Sequence, residues 1–253
     1  MKIVIIVQAR MTSTRLPGKV LLPLAGQPML TRLIERLRRV KRADAIVVAT
    51  TTNATDDPIA ALCEQLGVHC HRGSELDVLS RYADAARLND AGVVVRITSD
   101  CPLIDPVLVD QLIAAYLDGD CDYVSNMLPP TWPYGMAVEV FSATVLREAH
   151  AEATLASERE HVTPFIYWRP ERYHLRNIAS PTDLSTQRWT VDTAEDYELV
   201  RRLFETLHPD HPRFGLADVL ATMDAHPDWL RINQHVQQKQ LRPASTSSTT
   251  QTP

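Results

Sequence analysis

No run of apolar residues in this 253-residue chain approaches the ~20 needed to span a bilayer. The first apolar run, residues 3–7, also falls short of the ~7–15 residues of a secretory leader core. A cytoplasmic protein without a membrane partner is therefore expected. Cysteine is scarce. The four residues Cys63, Cys70, Cys101 and Cys121 form no C-x-x-C pair, so no disulfide framework is expected and they read as small buried residues. The stretch His69, Cys70, His71 lacks a second ligand pair at usable spacing. In a strand its histidines would share one face and the cysteine the other, so zinc is not expected. Neither a G-x-G-x-x-G nor a G-x-x-x-x-G-K-[ST] loop is present, and no internal repeat is found. Positive charge is not in excess either: the net charge is −5, which argues against nucleic acid as a partner.

What is present is a globular composition, 45% hydrophobic, with an uneven charge distribution. Residues 1–42 hold ten Lys/Arg and one acid, Glu35, while the other 211 residues hold 16 basic and 30 acidic. A basic segment on an acidic body suggests a local polyanion site. Arg32, Arg36 and Arg39 fall on a helical stretch and are expected to form a solvated face. Arg10, Arg15 and Lys19 do not fall on a helix, and need another explanation.

Hydrophobic periodicity predicts strands over residues 2–8, 45–49, 68–71 and 93–98, with helices between them. The first of these helices opens at Pro28 and runs to Val40. The second is capped by Asp56 or Asp57, begins at Pro58 and closes near Gly67. The others cover 76–88 and 107–117. Later strands are expected over 138–141, 173–178 and 188–191, and helices over 143–153, 159–167 and 194–207. Glu195 and Asp196 read as acids of a helix's first turn. This order predicts an α/β fold, a single Rossmann-like domain with a mixed, mainly parallel sheet and helices on both faces. The domain should span residues 1–242, with a nucleotide half over about 1–125 and an acceptor side over about 126–192. Residues 243–253, PASTSSTTQTP, carry no charge and read as a disordered tail.

In open α/β sheets ligands bind beyond the carboxyl ends of the strands, and three such ends here are chemically loaded. QARMTSTRLPGK (8–19) follows strand one and gathers Arg10, Arg15, Lys19, the hydroxyls of Thr12, Ser13 and Thr14, and a Pro-Gly turn. Several cations and backbone N–H groups on one loop suit a triphosphate, whose charge needs neutralising without bulk water. RITSDCPLID (96–105) and WTVDTAEDY (189–197) place Asp100 and Asp192 at two further strand tips. Asp105, just before Pro106, reads as a helix cap. Two carboxylates from separate tips suit Mg²⁺, which takes few protein oxygens.

The pattern A-R-x-x-S/T-x-R-L-P-x-K, followed by AGQP (25–28), resembles the signature loop of the cytidylyltransferases that activate acidic sugars. These are the CMP-Kdo and acylneuraminate synthetases, and the resemblance is nearest to the branch of spore coat polysaccharide biosynthesis protein F. It implies that Ala9, Arg10, Ser13 and Lys19 bind CTP, with Arg10, Arg15 and Lys19 acting on its phosphates. It implies that Asp100 and Asp192 hold Mg²⁺, although Ala194 stands where the family has proline. The stretch 71–81 falls where related synthetases hold cytosine, which makes Arg72, Asp77, Ser80 and Arg81 nucleotide contacts. YGMAVEV (134–140) and SEREHVT (157–163) resemble that branch and offer Tyr134, Glu139, Arg159 and His161 as readers of a sugar-type acceptor. Ser157 and Glu160 also have capping-box spacing. The implied reaction is CTP-dependent nucleotidyl transfer releasing pyrophosphate, for surface polysaccharide synthesis. Alternatives are a metal-dependent glycosyltransferase or a non-catalytic nucleotide-binding relative. The cationic loop disfavours the first, and the intact set of Arg10, Lys19, Asp100 and Asp192 disfavours the second. Related synthetases are often dimers, so a homodimer is a candidate assembly.

Overall fold

Strand β1 (Ile3–Gln8) shows why the chain folds in layers. Successive side chains of a strand point to opposite faces. Here Ile3, Ile5 and Val7 enter one apolar cluster, while Val4 and Ile6 enter another. A strand buried on both faces must be covered twice. In the computed structural model, which describes residues 1–238, helices cover both.

After β1 come a short hairpin of β2 (Pro23–Leu24) and β3 (Gln27–Pro28), α1 (Met29–Leu37), β4 (Ala45–Thr51), α2 (Asp57–Leu66), β5 (His69–Gly73), α3 (Val78–Leu88) and β6 (Val93–Thr98). Then follow α4 (Pro106–Leu117), β7 (Tyr123–Ser125), β8 (Glu139–Ser142), α5 (Ala143–Glu152), α6 (Ala156–His161), α7 (Pro164–Tyr167) and β9 (Leu175–Asn177). Helices α8 (Ala194–Leu207), α9 (Leu216–Ala225) and α10 (Leu230–Asn233) complete the described chain. The main sheet has the order β5-β4-β1-β6-β8-β7-β9. Its first four strands are parallel, and β8 enters antiparallel to both β6 and β7. The tips of β1, β4, β5 and β6 and the start of β8 therefore share one edge, bringing Gln8, Thr51, Gly73, Thr98 and Glu139 to the same side. Side chains from α1, α2, α4, α8 and α9 fill one face, and those from α3, α5 and α7 the other. Among the described residues no helix is long and apolar enough to cross a membrane.

Several expected elements differ. Residues 188–191 form no strand: Arg188 makes one isolated bridge to Tyr134, and Val191 N–H donates to the Asp100 carbonyl (2.8 Å). The strand expected over 173–178 is only β9, and β7, the hairpin, α9 and α10 were not expected. The helix expected over 159–167 is two helices. Val162 takes a left-handed φ of 73°, and Pro164 lacks the N–H that would continue the first helix. Helix α1 stops at Leu37, and Pro28 precedes it as the cap. Arg32 and Arg36 are not a solvated face. They are 7% and 4% exposed; Arg32 Nε donates to the Leu24 carbonyl (3.0 Å) and Arg36 Nε to the Ile104 carbonyl (2.8 Å). Of the cysteines, Cys63 and Cys101 are buried and Cys70 and Cys121 only half-buried. The tail, 243–253, lies outside the described residues.

Candidate functional site

The loop after β1 is closed on itself and tied to its neighbours. Ala9 N–H donates to the Ala49 carbonyl (3.1 Å), and Gly18 N–H to the Met11 carbonyl (2.9 Å). Gly18 has φ 71°, a conformation that favours glycine, and the turn there feeds Lys19 back under the loop. Asp56 does not cap α2 with its side chain. Its buried carboxylate faces the loop instead, accepting from Met11 N–H (2.7 Å), Thr51 Oγ1 (2.5 Å) and Thr50 Oγ1 (3.2 Å). Thr12 Oγ1 donates to Glu75 (2.6 Å).

Lys19 joins the loop after β1 to the segment after β6 and the stretch that leads into α8. Its buried ammonium donates to Asp192 Oδ1 (2.9 Å), Asp100 Oδ2 (3.1 Å) and the Val191 carbonyl (2.7 Å). Arg15 reaches Asp192 Oδ2 at 2.9 Å, and Arg188 reaches the same oxygen at 3.1 Å. Residues 15, 19, 100 and 192 are thus one cluster, although up to 177 positions separate them. Burial works against the Lys19 charge, but Asp100 and Asp192 outweigh it and hold its pKa above the ordinary lysine value. Burial likewise opposes ionisation of Asp100. The Lys19 charge and the bonds from Thr98 and Lys19 nevertheless keep that carboxyl below its usual range.

Asp192 is held from behind. Asp196, fully buried, accepts from Arg188 Nε (2.9 Å), Asn233 Nδ2 (2.8 Å) and Asp192 N–H (3.1 Å). Its N–H also closes on Thr193 Oγ1 (3.3 Å), a capping box for α8. Asp196 is therefore more than an acid in a helix's first turn. Asp105 is the expected cap, accepting from Val107 N–H (2.8 Å), and it also takes Leu216 N–H (2.7 Å).

The remaining expected contacts divide. Ala9 is buried at the start of the loop and Ser13 lies half-buried along it. Arg10 stays 39% exposed by its side chain, 3.8 Å from Glu75. Arg72 is engaged by protein: it donates to the carbonyls of Thr51 (2.8 Å) and Asn53 (2.9 Å) and pairs with Asp57 (2.7 Å). Asp77 and Arg159, expected on nucleotide and acceptor respectively, bind each other, and Asp77 also caps α3 by accepting from Ser80 N–H (2.9 Å). Arg81 is buried without a partner for Nε or Nη1. Glu139 is not an open acceptor contact. It is buried, pairs with Arg96 and accepts from Tyr123 (2.5 Å) and Thr163 (2.6 Å). At the start of α6 Glu158 accepts from Leu155 N–H (3.3 Å), and Ser157 and Glu160 form no capping box because the helix starts one residue before Ser157. His161 keeps a partly exposed side chain (36%). Tyr134 lines a cavity of about 380 Å³ with Gln187, Arg188 and Asn233.

Arg188, Asp196, Asp56, Arg96 and Glu75 are the site's unanticipated members. None of them was read as a site residue from the sequence. They act through long-range bonds that spacing does not encode.

A parallel sheet carrying a cation-rich loop and two carboxylates on one edge has the form of a nucleotidyltransferase. The sequence profile of the family described as Cytidylyltransferase matches residues 4–225, and the chain belongs to that family of CTP-dependent enzymes. Spore coat polysaccharide biosynthesis protein SpsF of Bacillus subtilis is 34% identical over 89% of this chain and 95% of its own. The solved structure of a cytidylyltransferase from Leptospira borgpetersenii superposes with a TM-score of 0.87 at 32% identity, covering 96% of this chain and all of that one. A CMP-2-keto-3-deoxy-manno-octonic acid synthetase complexed with CTP superposes with a TM-score of 0.62 at 18% identity, over 81% of this chain and 99% of its own, and shares the fold.

Proposed function

We propose that this enzyme transfers CMP from CTP to an oxygen of a sugar-type acceptor, in the cytoplasm, for surface polysaccharide synthesis. The observation that carries the proposal is the single cluster formed by Lys19, Arg15, Asp100 and Asp192. The acceptor oxygen forms a bond to the α-phosphorus, the bond from that phosphorus to the bridging oxygen breaks, and pyrophosphate leaves. The acceptor's proton passes to solvent. Such transfer asks the protein mainly for positioning and charge stabilisation. Arg10, Arg15 and Lys19 hold the β- and γ-phosphates and stabilise the departing pyrophosphate, and Ala9 and Ser13 line the same loop.

Asp100 and Asp192 would hold Mg²⁺. Their carboxylates share one ammonium, so hard oxygen donors face a common point, and the donor chemistry fits that ion. When bound, Mg²⁺ neutralises phosphate charge. On the acceptor side His161 and Tyr134 are the open candidates. Glu139 and Arg159 act from behind by fixing Arg96 and Asp77.

The test is pyrophosphate release from CTP and Mg²⁺ across a panel of sugar acids and sugar phosphates. Release only with CTP and one acceptor class supports the assignment. Consumption of a nucleotide-sugar without pyrophosphate would replace it with glycosyl transfer.

A further inference from the structure

Asp192 follows no strand of the sheet, so something other than a ladder must hold it. On one side the stretch that carries it, residues 188–192, bonds to Tyr134 and Asp100. Trp189 N–H donates to the Tyr134 carbonyl (2.7 Å), and Val191 N–H and Thr190 Oγ1 donate to the Asp100 carbonyl (2.8 and 3.2 Å). On the other side no strand among the described residues pairs with it. The Arg188 carbonyl there accepts from Asn233 Nδ2 (2.9 Å). Asn233 is the last residue of α10 and only 3% exposed. A side-chain amide carries two hydrogens, and the second goes to Asp196 Oδ1 (2.8 Å).

Asp196 passes this hold forward. Its two oxygens take the Arg188 fork, Nε at 2.9 Å and Nη2 at 2.9 Å, and Nη2 also donates to Asp192 Oδ2 (3.1 Å). A chain of buried hydrogen bonds thus runs from α10 to one of the two carboxylates proposed for the metal. Three cations meet that carboxylate. Lys19 and Arg15 come from the phosphate loop, and CTP offers them other partners. Arg188 is gripped from behind by Asp196 and Asn233, so it keeps Oδ2. Oδ1 is then left turned to the point that the Lys19 ammonium marks between it and Asp100 Oδ2. Without Asn233 a buried oxygen of Asp196 loses a donor, and residue 188 loses its backbone anchor. The fork is then free to turn, and Asp192 turns with it. Removing a group that orients a metal ligand typically weakens metal binding about 10–100-fold.

We infer that Asn233 is a positioning residue for the metal site: through Asp196 and Arg188 it fixes which oxygen of Asp192 is presented to the ion, and so sets how tightly the protein holds it. The inference rests on the metal reading of Asp100 and Asp192 above, and adds a residue that bonds to neither carboxylate. Asn233 lies beyond residue 225, where the match to the family profile ends. The working parts of the site therefore extend into α10.

The experiment is titration of the nucleotide-free full chain with Mn²⁺, a probe suited to the same oxygen donors, read by the paramagnetic resonance of the free ion. Asn233→Ala should raise the Kd for Mn²⁺ about tenfold. It should raise the Mg²⁺ concentration for half-maximal pyrophosphate release by a similar factor, and leave the KM for CTP at saturating Mg²⁺ within about twofold. Asn233→Asp keeps the shape but sets an acceptor against Asp196, so it should weaken Mn²⁺ binding at least as much. Asp44→Ala removes the bond to Ile3 N–H (2.7 Å) at the opposite end of the sheet, and should lower Tm while leaving Mn²⁺ binding unchanged. Wild-type Mn²⁺ affinity in either Asn233 variant would make the residue a structural tie only, and the inference fails. It fails as well if Asp44→Ala weakens Mn²⁺ as Asn233→Ala does, since general loosening then explains both. A wild-type chain that binds Mn²⁺ no better than Asp192→Asn would remove the metal reading itself.

Discussion

The ammonium of Lys19 commits all three of its donors, to two carboxylates and a carbonyl. Removing one partner of a buried ion pair leaves an uncompensated charge and typically costs about 3–5 kcal/mol. Lys19→Met should therefore lower stability by that order, measured by urea unfolding. Most of the loss should fall on Asp100, because Asp192 keeps Arg15 and Arg188. Added Mg²⁺ should restore more stability to Lys19→Met than to the wild type, since the ammonium no longer competes for the two carboxylates. Equal Mg²⁺ responses would count against Asp100 and Asp192 as its ligands. Asp100→Asn and Asp192→Asn should each abolish most pyrophosphate release, and the double variant should be hardly worse, because groups acting as a unit are non-additive.

His161 offers a second prediction at this scale. Burial, together with Arg96 and Arg10, holds its pKa below the ordinary histidine value, against the pull of Glu160 and Glu139. As pH falls through about 6.5 the unfolded chain takes up a proton that the folded chain resists, so stability declines below that pH. The drop in Tm between about pH 7.5 and 5.5 should be smaller in His161→Gln than in the wild type. His71 and His208, whose pKa values burial also lowers, contribute in the same direction.

At the scale of elements, the contact between α3 and α6 turns on Asp77 and Arg159. Hydrogen bonds to charged groups contribute about 1.5–3 kcal/mol. A double-mutant cycle with Asp77→Ala and Arg159→Ala should return a coupling of that order in urea midpoints. Additive losses would mean that the pair does not meet in solution. The same pair shows where sequence reading stops. The parallel strands were legible because a strand buried on both faces is apolar throughout, as residues 3–7 are. Asp100 was legible because it follows such a strand, and Asp192 because it directly precedes a helix after an apolar stretch, although that stretch forms no strand. Asp77 and Arg159 were legible as special but not as partners, since 82 positions separate them and nothing local encodes the contact. The break at Val162 was missed because a β-branched residue rarely takes positive φ, so nothing in its identity signals a stop there. Arg32 and Arg36 were misread because helical spacing gives a side chain's direction but not whether carbonyls wait there.

For the whole molecule the issue is whether the basic first segment attracts CTP by its total charge or by placement. Ten cations lie in residues 1–42, but the fold disperses them. Arg32 and Arg36 are buried on carbonyls, Arg38 donates to the Leu66 carbonyl, and Arg39 donates to the Arg213 carbonyl (2.8 Å). Helix α1 returns from the loop end of the sheet, so Arg38 and Arg42 sit near where β1 and β4 begin. The backbone there is fixed by Asp44, which accepts from Ile3 N–H (2.7 Å), and by Asp110, which accepts from Arg42 N–H (2.9 Å). A six-residue strand rises about 3.3 Å per residue, so roughly 20 Å lie between that end and the tips of β1 and β6. At about 0.1 M salt the Debye length is about 10 Å, so charges at the far end are largely screened from the site. Arg38→Gln with Arg42→Gln removes two positive charges and should leave the Kd for CTP with Mg²⁺ within about twofold. Arg10→Gln removes one charge and should weaken binding about tenfold or more, since a charge-assisted bond to phosphate is lost. The three proteins are to be compared by titration at one fixed salt concentration, then at a higher one. Comparable weakening in the double variant would show that the segment steers CTP by summed charge, and the loop after β1 would lose its claim to be the phosphate site.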